Sequence, residues 1–229
     1  MRLDKYLASV TDYSRSDAKK MIKSRRVSVA DIIVVDPRSE IDDDAVVTID
    51  ELVLRSAVPR YFMLHKPQGY ISATKDRTHL TALELLDEDN IERLHIAGRL
   101  DIDTTGLLLI TDDGNWSHRV TSPNRDCKKT YWLEATDPIT AAQIEQIEQG
   151  IKLDNEKRPT LPAAMELIDE HTARLTISEG KYHQVKRMLA AVGNHIDLLH
   201  RERIADITLD EDLAQGEYRA LTPAEVACI

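Results

Sequence analysis

Residues 98–114 read GRLDIDTTGLLLITDDG, a short polar loop that runs into an apolar strand and ends in a turn. Between strand candidates at 93–97 and 107–111, the loop places Arg99, Asp101 and Asp103 within five residues. Loops held between rigid strands are where chemistry tends to sit. Asp112 and Asp113 before Gly114 read as turn formers. Working outward, further strands are expected at 61–65, 130–135, 163–168, 173–177 and 196–200. Helices are expected at 81–86, 116–121, 139–149, 183–192 and 223–229. Neighbouring strands often lack an intervening helix, so the pattern predicts an α+β fold with a mixed, mainly antiparallel sheet rather than a doubly wound parallel one.

Upstream the pattern changes. Residues 1–30 carry eight Lys/Arg against three Asp, whereas 31–56 carry two against eight Asp/Glu, so the chain opens on a basic island. Leu3, Tyr6, Leu7 and Val10 recur at helical spacing. Ser14 with Asp17 reads as a helix start whose apolar face is Ala18, Met21 and Ile22. Lys19, Lys20, Lys23, Arg25 and Arg26 then crowd the remaining surface. Strands are expected at 27–29, 32–35 and 45–49, which makes a small α/β module. A charge change and a proline in ELVLRSAVPR put a boundary near 57–60, giving units 1–58 and 59–229.

Composition bounds the classes of function. The chain has 229 residues, 42% hydrophobic, enough for a core without disulfides or metals. Its formal charge of -10 argues against a surface coated in nonspecific nucleic-acid contacts but not against a local basic site. Cys127 and Cys228 are far apart and form no ligand spacing, and the eight histidines show no HExxH pattern. Neither a metal nor a cofactor is expected. No apolar run approaches about 18 residues and the N-terminus lacks a signal-type core. The expectation is a cytoplasmic monomer without membrane contact.

Several residues are candidates for chemistry. Asp101 and Asp103 resemble a glycosidase-like carboxylate pair, although residues two apart on a loop fix no separation and a lone loop aspartate commonly caps or solvates. In the 183–192 helix, Val185, Met188, Leu189 and Val192 share one face, with Lys186 on its flank and His183 and Arg187 opposite. Lys186 can border the core and reach a cleft, or simply snorkel beside it. Alternation in 129–133 puts Lys129, Tyr131 and Leu133 on one strand face. Arg99, a basic cluster of Arg119, Arg125, Lys128 and Lys129, and Tyr182, His183 and Arg187 are candidate nucleic-acid contacts, as are Arg15, Lys19, Lys20, Lys23, Arg25 and Arg26. Each also has an ordinary structural reading, as a salt bridge, solvated helix face or hydrogen-bond donor.

Family resemblance separates these readings. RLDKYLA, SRSDAKKMI and RRVSV resemble the ribosomal-protein-S4-like RNA-binding module, with the departure that ADIIVVDP stands where that module commonly has a glycine-bearing turn. GRLD followed by TTGLLLIT resembles the central motif of pseudouridine synthases. Together with GNWSHRVTSP, KTY, SEGKYHQVKRM and HRERI it is similar to the branch acting on small-subunit ribosomal RNA. KPQGY at 66–70 and GEYRALTPAE at 216–225 extend the likeness along the chain. The resemblance implies isomerisation of one uridine in 16S ribosomal RNA, as free RNA or within small-subunit assembly. Asp101 would act at the ribose, either on C1′ or on the 2′ proton, with Tyr131 stacking on the base and Lys186 as the active-site cation. The alternatives are a 23S target, a glycosidase releasing uracil, and a nonenzymatic S4-like assembly factor.

Overall fold

Leu3, Tyr6 and Leu7 form the buried stripe of the first helix, α1 (Leu3–Val10), in the computed structural model, which describes residues 1–11, 13–42, 45–54, 58–122 and 125–229. The Ser14 hydroxyl accepts the backbone N–H of Asp17 and so starts α2 (Arg15–Lys23), which buries Ala18, Met21 and Ile22. Four short strands follow: β1 (Val27–Val29), β2 (Ile32–Ile33), β3 (Val47–Ile49) and β4 (Leu52–Leu54). They form an antiparallel sheet in the order β2-β1-β3-β4. These elements belong to the first of two units, Met1–Val58; the second is Pro59–Ile229. Residue 57, where the expected boundary begins, lies outside the described residues.

The strand β4 falls in the ELVLRSAVPR stretch, where the sequence pattern predicts no strand. Leu52 and Val53 are exposed, so register with β3, and not burial, makes the strand. The missing glycine has a direct structural answer. Ala30 and Asp31 both take positive φ, 47° and 65°, in a two-residue turn between β1 and β2, and Asp50 and Glu51 do the same between β3 and β4. Positive φ at both central residues matches the strand twist. The hairpins therefore keep their geometry while side chains with a Cβ carry its cost. Asp31→Gly is expected to raise stability by about 1 kcal/mol, read as an upward shift of the urea midpoint.

In the second unit, β5 (Tyr61–Lys66), β6 (His95–Ala97), β7 (Thr105–Thr111), α3 (Gly114–Thr121) and β8 (Lys129–Ala135) come first. They are followed by α4 (Ala141–Gln149), β9 (Ala164–Leu167), β10 (Thr172–Ile177), α5 (Gln184–Ala191), β11 (Ile196–Ile204), β12 (Ile207–Thr208), β13 (Tyr218–Ala220) and α6 (Pro223–Ala227). Among the described residues the strands run β13-β5-β7-β11-β8-β10-β9, with β6 on β7 and β12 on β11. Only β7 and β11 pair in parallel among these neighbours, so the sheet is mixed and mainly antiparallel, as the sequence pattern predicts. Residues 81–86 form a 3-10 turn (Ala82–Leu85) instead of an α-helix. Strands β12 and β13 are too short to show a period of their own, and β11 extends four residues beyond the expected 200, to Ile204.

The run Leu107–Leu108–Leu109–Ile110 is apolar throughout because β7 is covered on both faces. Leu108 and Ile110 join Leu64, Leu133, Leu175 and Leu189 in one core. Leu107 and Leu109 join Met63, Trp116, Val120 and Ile204 in the other. Just before this run, Gly106 lies against Arg201 of β11 with φ +105°, and a Cβ there would sit 2.3 Å from the Arg201 carbonyl oxygen. Only glycine lets the two parallel strands meet at this point. The contact sets the 98–104 loop beside the β8 and β11 residues that line the site.

Candidate active site

The 98–104 loop leaves β6 and enters β7 with its backbone polar groups held at many points. Gly98, at φ +94°, turns its carbonyl to Arg201, whose Nη2 donates at 2.8 Å; Nη1 donates to the Arg99 carbonyl at 3.3 Å. The Ser72 hydroxyl donates to the Leu100 carbonyl and accepts the Leu100 N–H. From the other side Lys66 donates to the carbonyls of Pro67 at 2.9 Å, Ile102 at 3.4 Å and Thr104 at 2.8 Å. Lys66 and Arg201 are 0% and 1% exposed. Two buried cations that donate to loop carbonyls fix the backbone on which Asp101 sits.

Around this loop opens a cleft of about 500 Å³, with Asp101, Tyr131, Lys186, His183, Arg99 and Arg201 among its lining residues. Tyr131 comes from β8, directly opposite Arg201 of β11 in the strand register, and Arg201 Nη1 donates to its hydroxyl at 3.4 Å. The Arg201 guanidinium also lies 5.9 Å from the Tyr131 ring centroid. Val185, Met188 and Leu189 seat α5 in the core, and Lys186 on its flank reaches the loop. Its Nζ stands 3.7 Å from Asp101 Oδ2 and 2.5 Å from Asp103 Oδ1. One lysine thus serves both carboxylates and lies nearer the exposed Asp103 than the half-buried Asp101. Burial would raise the Asp103 pKa, but the hydrogen bond and charge of Lys186 outweigh it and hold that carboxyl below its ordinary value.

His183 departs from its helical reading. It precedes α5 in the left-handed conformation, φ +46°, and its Nε2 lies 3.4 Å from Asp101 Oδ1. Tyr182 is 71% exposed at the cleft, stacked on the His183 ring. Arg99 is exposed and borders the same cleft.

In the synthase unit, Lys129, Arg187 and Arg119 among the expected RNA contacts have protein partners. Lys129 is buried, with Nζ donating to the carbonyls of Val120 and Cys127, and burial pushes its pKa down. An ammonium enclosed in that way braces β8 and is not available to a phosphate. Arg187 donates to the carbonyls of Asp154 and Tyr182 and pairs with Glu156, tying the 178–183 loop to residues 154–156. Arg119 donates to the Ile229 carbonyl.

In the first unit Arg15, Lys19 and Lys23 repeat every four residues along α2, and with Arg2 and Arg38 they line a concavity of about 680 Å³. Asp4, fully buried, pairs with Arg2 at 2.9 Å and Arg15 at 3.4 Å. Burial would raise its pKa, but the two arginines hold the carboxyl below the ordinary value. Lys20 pairs with Asp17, Arg26 pairs with Asp50, and Arg25 takes the left-handed position that ends α2. These three do not line the concavity.

Residues 60–191 match the RNA pseudouridylate synthase family, and residues 1–47 match the S4 domain. The chain belongs to the RNA pseudouridylate synthase family. Ribosomal small subunit pseudouridine synthase A of Vibrio cholerae is 52% identical over 229 residues, covering 100% of this chain and 99% of that relative. The Escherichia coli protein of the same name is 52% identical over 230 residues, with 100% of each chain covered. The crystal structure of a pseudouridylate synthase superposes with a TM-score of 0.73 at 44% identity, over 99% of this chain and 98% of the other. This synthase is therefore an isomerase acting on uridine in RNA, built from an S4 domain and a mixed-sheet synthase domain. Among its described residues no helix is long and apolar enough to cross a membrane.

Sequence reasoning singles out neither Lys66 nor Arg201, nor the contributions of Arg2, Arg38 and Asp4 to the basic concavity. The available signal was a charged residue inside an apolar strand, Lys66 at the end of YFMLHK and Arg201 after DLLH. Such residues are buried only when hydrogen-bonded. Burial lowers the Lys66 pKa from 10.5 to about 8, although the charges of Asp103 and Asp101 pull the other way. Between these values the unfolded chain binds more protons than the folded one, so the Lys66 contribution to stability grows as pH rises from about 8 to 10.5. Urea unfolding of wild type and Lys66→Met at pH 8 and pH 10 is expected to show a larger rise in the wild type than in the variant, which keeps only the contribution of other buried lysines such as Lys129. Lys66→Met also removes the donor to three carbonyls, costing about 1–3 kcal/mol.

Proposed function

We propose that this synthase converts a single uridine of 16S ribosomal RNA to pseudouridine, with residues 1–58 docking on the RNA and 59–229 performing the reaction through Asp101, Tyr131 and Lys186. The observation that carries the reading is the meeting, in one cleft, of a half-buried carboxylate, a cation 3.7 Å from it and a tyrosine ring held by a buried arginine. In the reaction the N1–C1′ bond breaks, the uracil turns, and C5 bonds to C1′. The C5 proton leaves and N1 regains one, so atoms balance without a cofactor. An ionised Asp101 acts at the ribose, on C1′ or on the 2′ proton. Lys186 offsets the loss of water around that carboxylate when RNA closes the cleft. Tyr131 stacks on the flipped base, the usual way an unpaired base is held, and its hydroxyl is suited to assist the proton change at C5.

The small-subunit target is supported by full-length likeness to enzymes whose names state it. Docking is supported by the Arg2, Arg15, Lys19, Lys23 and Arg38 cluster, where phosphate contacts release counterions. Replacing Arg15, Lys19 and Lys23 with alanine is expected to weaken 16S RNA binding and to flatten the plot of log affinity against log salt by about 2–3 units of slope. An unchanged slope in a salt titration would remove the docking role. We take the working form to be a cytoplasmic monomer; Cys127 and Cys228 are both free thiols.

The reading is tested by incubating the protein with unmodified 16S RNA, 23S RNA and small-subunit assembly particles, then mapping pseudouridine by mass spectrometry of nuclease fragments. One modified position in 16S RNA, free or in particles, is expected. Modification confined to 23S RNA would reassign the target.

A further inference from the structure

His183 holds an unfavourable backbone conformation that neither capping nor burial explains. Left-handed φ costs a residue with a Cβ about 1–2 kcal/mol, yet the His183 side chain makes no capping hydrogen bond to α5 and is 40% exposed. What the conformation achieves is the placement of the ring. Its Nε2 faces Asp101 Oδ1 at 3.4 Å, and its face lies on Tyr182, with centroids 3.8 Å apart and planes 21° apart. Strain of this kind collects where a side chain must be held for function.

The neighbouring cation cannot fix Asp101 alone. Lys186 is 3.7 Å from Oδ2 but 2.5 Å from Asp103, so its close hydrogen bond goes to the other carboxylate. The two oxygens of Asp101 thus have separate neighbours, Lys186 at Oδ2 and His183 at Oδ1. We infer that His183 is a positioning residue for Asp101: its Nε2–H holds Oδ1 and sets the carboxylate plane for the incoming ribose, while Tyr182 stacked on the ring keeps the imidazole in place. In the free enzyme the two groups stand at ion-pair distance, 3.4 Å, and catalytic hydrogen bonds often tighten only when substrate enters. The inference rests on the reading of Asp101 as the group that acts at the sugar.

The test uses the full chain with 16S RNA, and reads kcat, KM and melting temperature for His183→Gly, His183→Gln, Tyr182→Ala and Asp101→Asn. Glycine keeps the left-handed backbone and removes the ring, whereas glutamine returns an N–H donor at similar reach. His183→Gly is expected to lower kcat about 10–100-fold, the scale of a misplaced reacting group, with KM within about twofold and a melting temperature no lower than that of the wild type, since glycine relieves the left-handed strain. His183→Gln recovers most of that loss, and Tyr182→Ala costs a few-fold in kcat. Wild-type kcat in His183→Gly overturns the inference, as does a loss of kcat that appears only together with a lowered melting temperature. An inactive Asp101→Asn beside a fully active His183→Gly removes this inference alone. Full turnover by Asp101→Asn removes the reading beneath it.

Discussion

Asp101→Asn is expected to lower turnover on 16S RNA by at least about 10³-fold, the scale seen when a reacting group is removed, while affinity for the RNA stays within about twofold. The substitution keeps the size of the side chain and removes its negative charge. The loop should not move, because its backbone is held by Lys66, Ser72 and Arg201 through contacts that do not involve the Asp101 carboxylate. Lys186 keeps its nearer partner, Asp103. An amide is neither a competent nucleophile at C1′ nor a base for the 2′ proton, so both routes at the ribose fail together. The measurement is a pair: single-turnover conversion and a binding titration with the same RNA. A protein that only binds or assembles RNA would tolerate this change.

Lys186→Ala is expected to cost about 10²–10³ in kcat, the range for removing a charge that stabilises an active-site group. Fold and KM should be little affected. The helix that carries Lys186 is held by Val185, Met188 and Leu189, all buried, whereas Lys186 itself lies on the flank. Its ion pairs are partly exposed and add little to stability. The direct consequence is electrostatic. Asp103 loses the partner that keeps its pKa below normal and retains the burial that raises it, so its carboxyl titrates at higher pH in the variant. Among the described residues, Asp101 is left with His183 alone at ion-pair distance. Near-native kinetics together with a native melting temperature would remove Lys186 from the active site.

The parts of the molecule legible in sequence are those with repetition or a motif. The LLLI run, the alternation in KTYWL and the 3.6-residue spacing in HQVKRML each contain enough residues to report their own period, and all three elements are present. Strands β4, β12 and β13, two or three residues each, exist only by pairing with a neighbour and have no period to read. In the candidate site, the roles of Asp101, Tyr131 and Lys186 are what the resemblance of the motifs implies, and their closeness is seen only in the fold. What motif order does not carry is the role of a charge after folding. Lys129 and Arg187 are candidate RNA contacts by sequence, and in the fold one is enclosed by carbonyls while the other ties loops together. Lys66 and Arg201 show only as charges at the end of or within strands, and most of their partners are backbone carbonyls far away in sequence. Helical spacing puts His183 opposite the apolar face of that helix, whereas it stands one residue before the helix in the left-handed conformation, and the role proposed for it depends on that placement.

The reaction assigned to this cleft is tested most directly by a nucleoside balance on 16S RNA treated with wild type and with Asp101→Asn, measuring uridine, pseudouridine and free uracil in the same samples. Wild type should convert one uridine per RNA into one pseudouridine with no uracil released, and the variant should produce neither product. Free uracil from the wild type, or pseudouridine formed at an undiminished rate by Asp101→Asn, would contradict it.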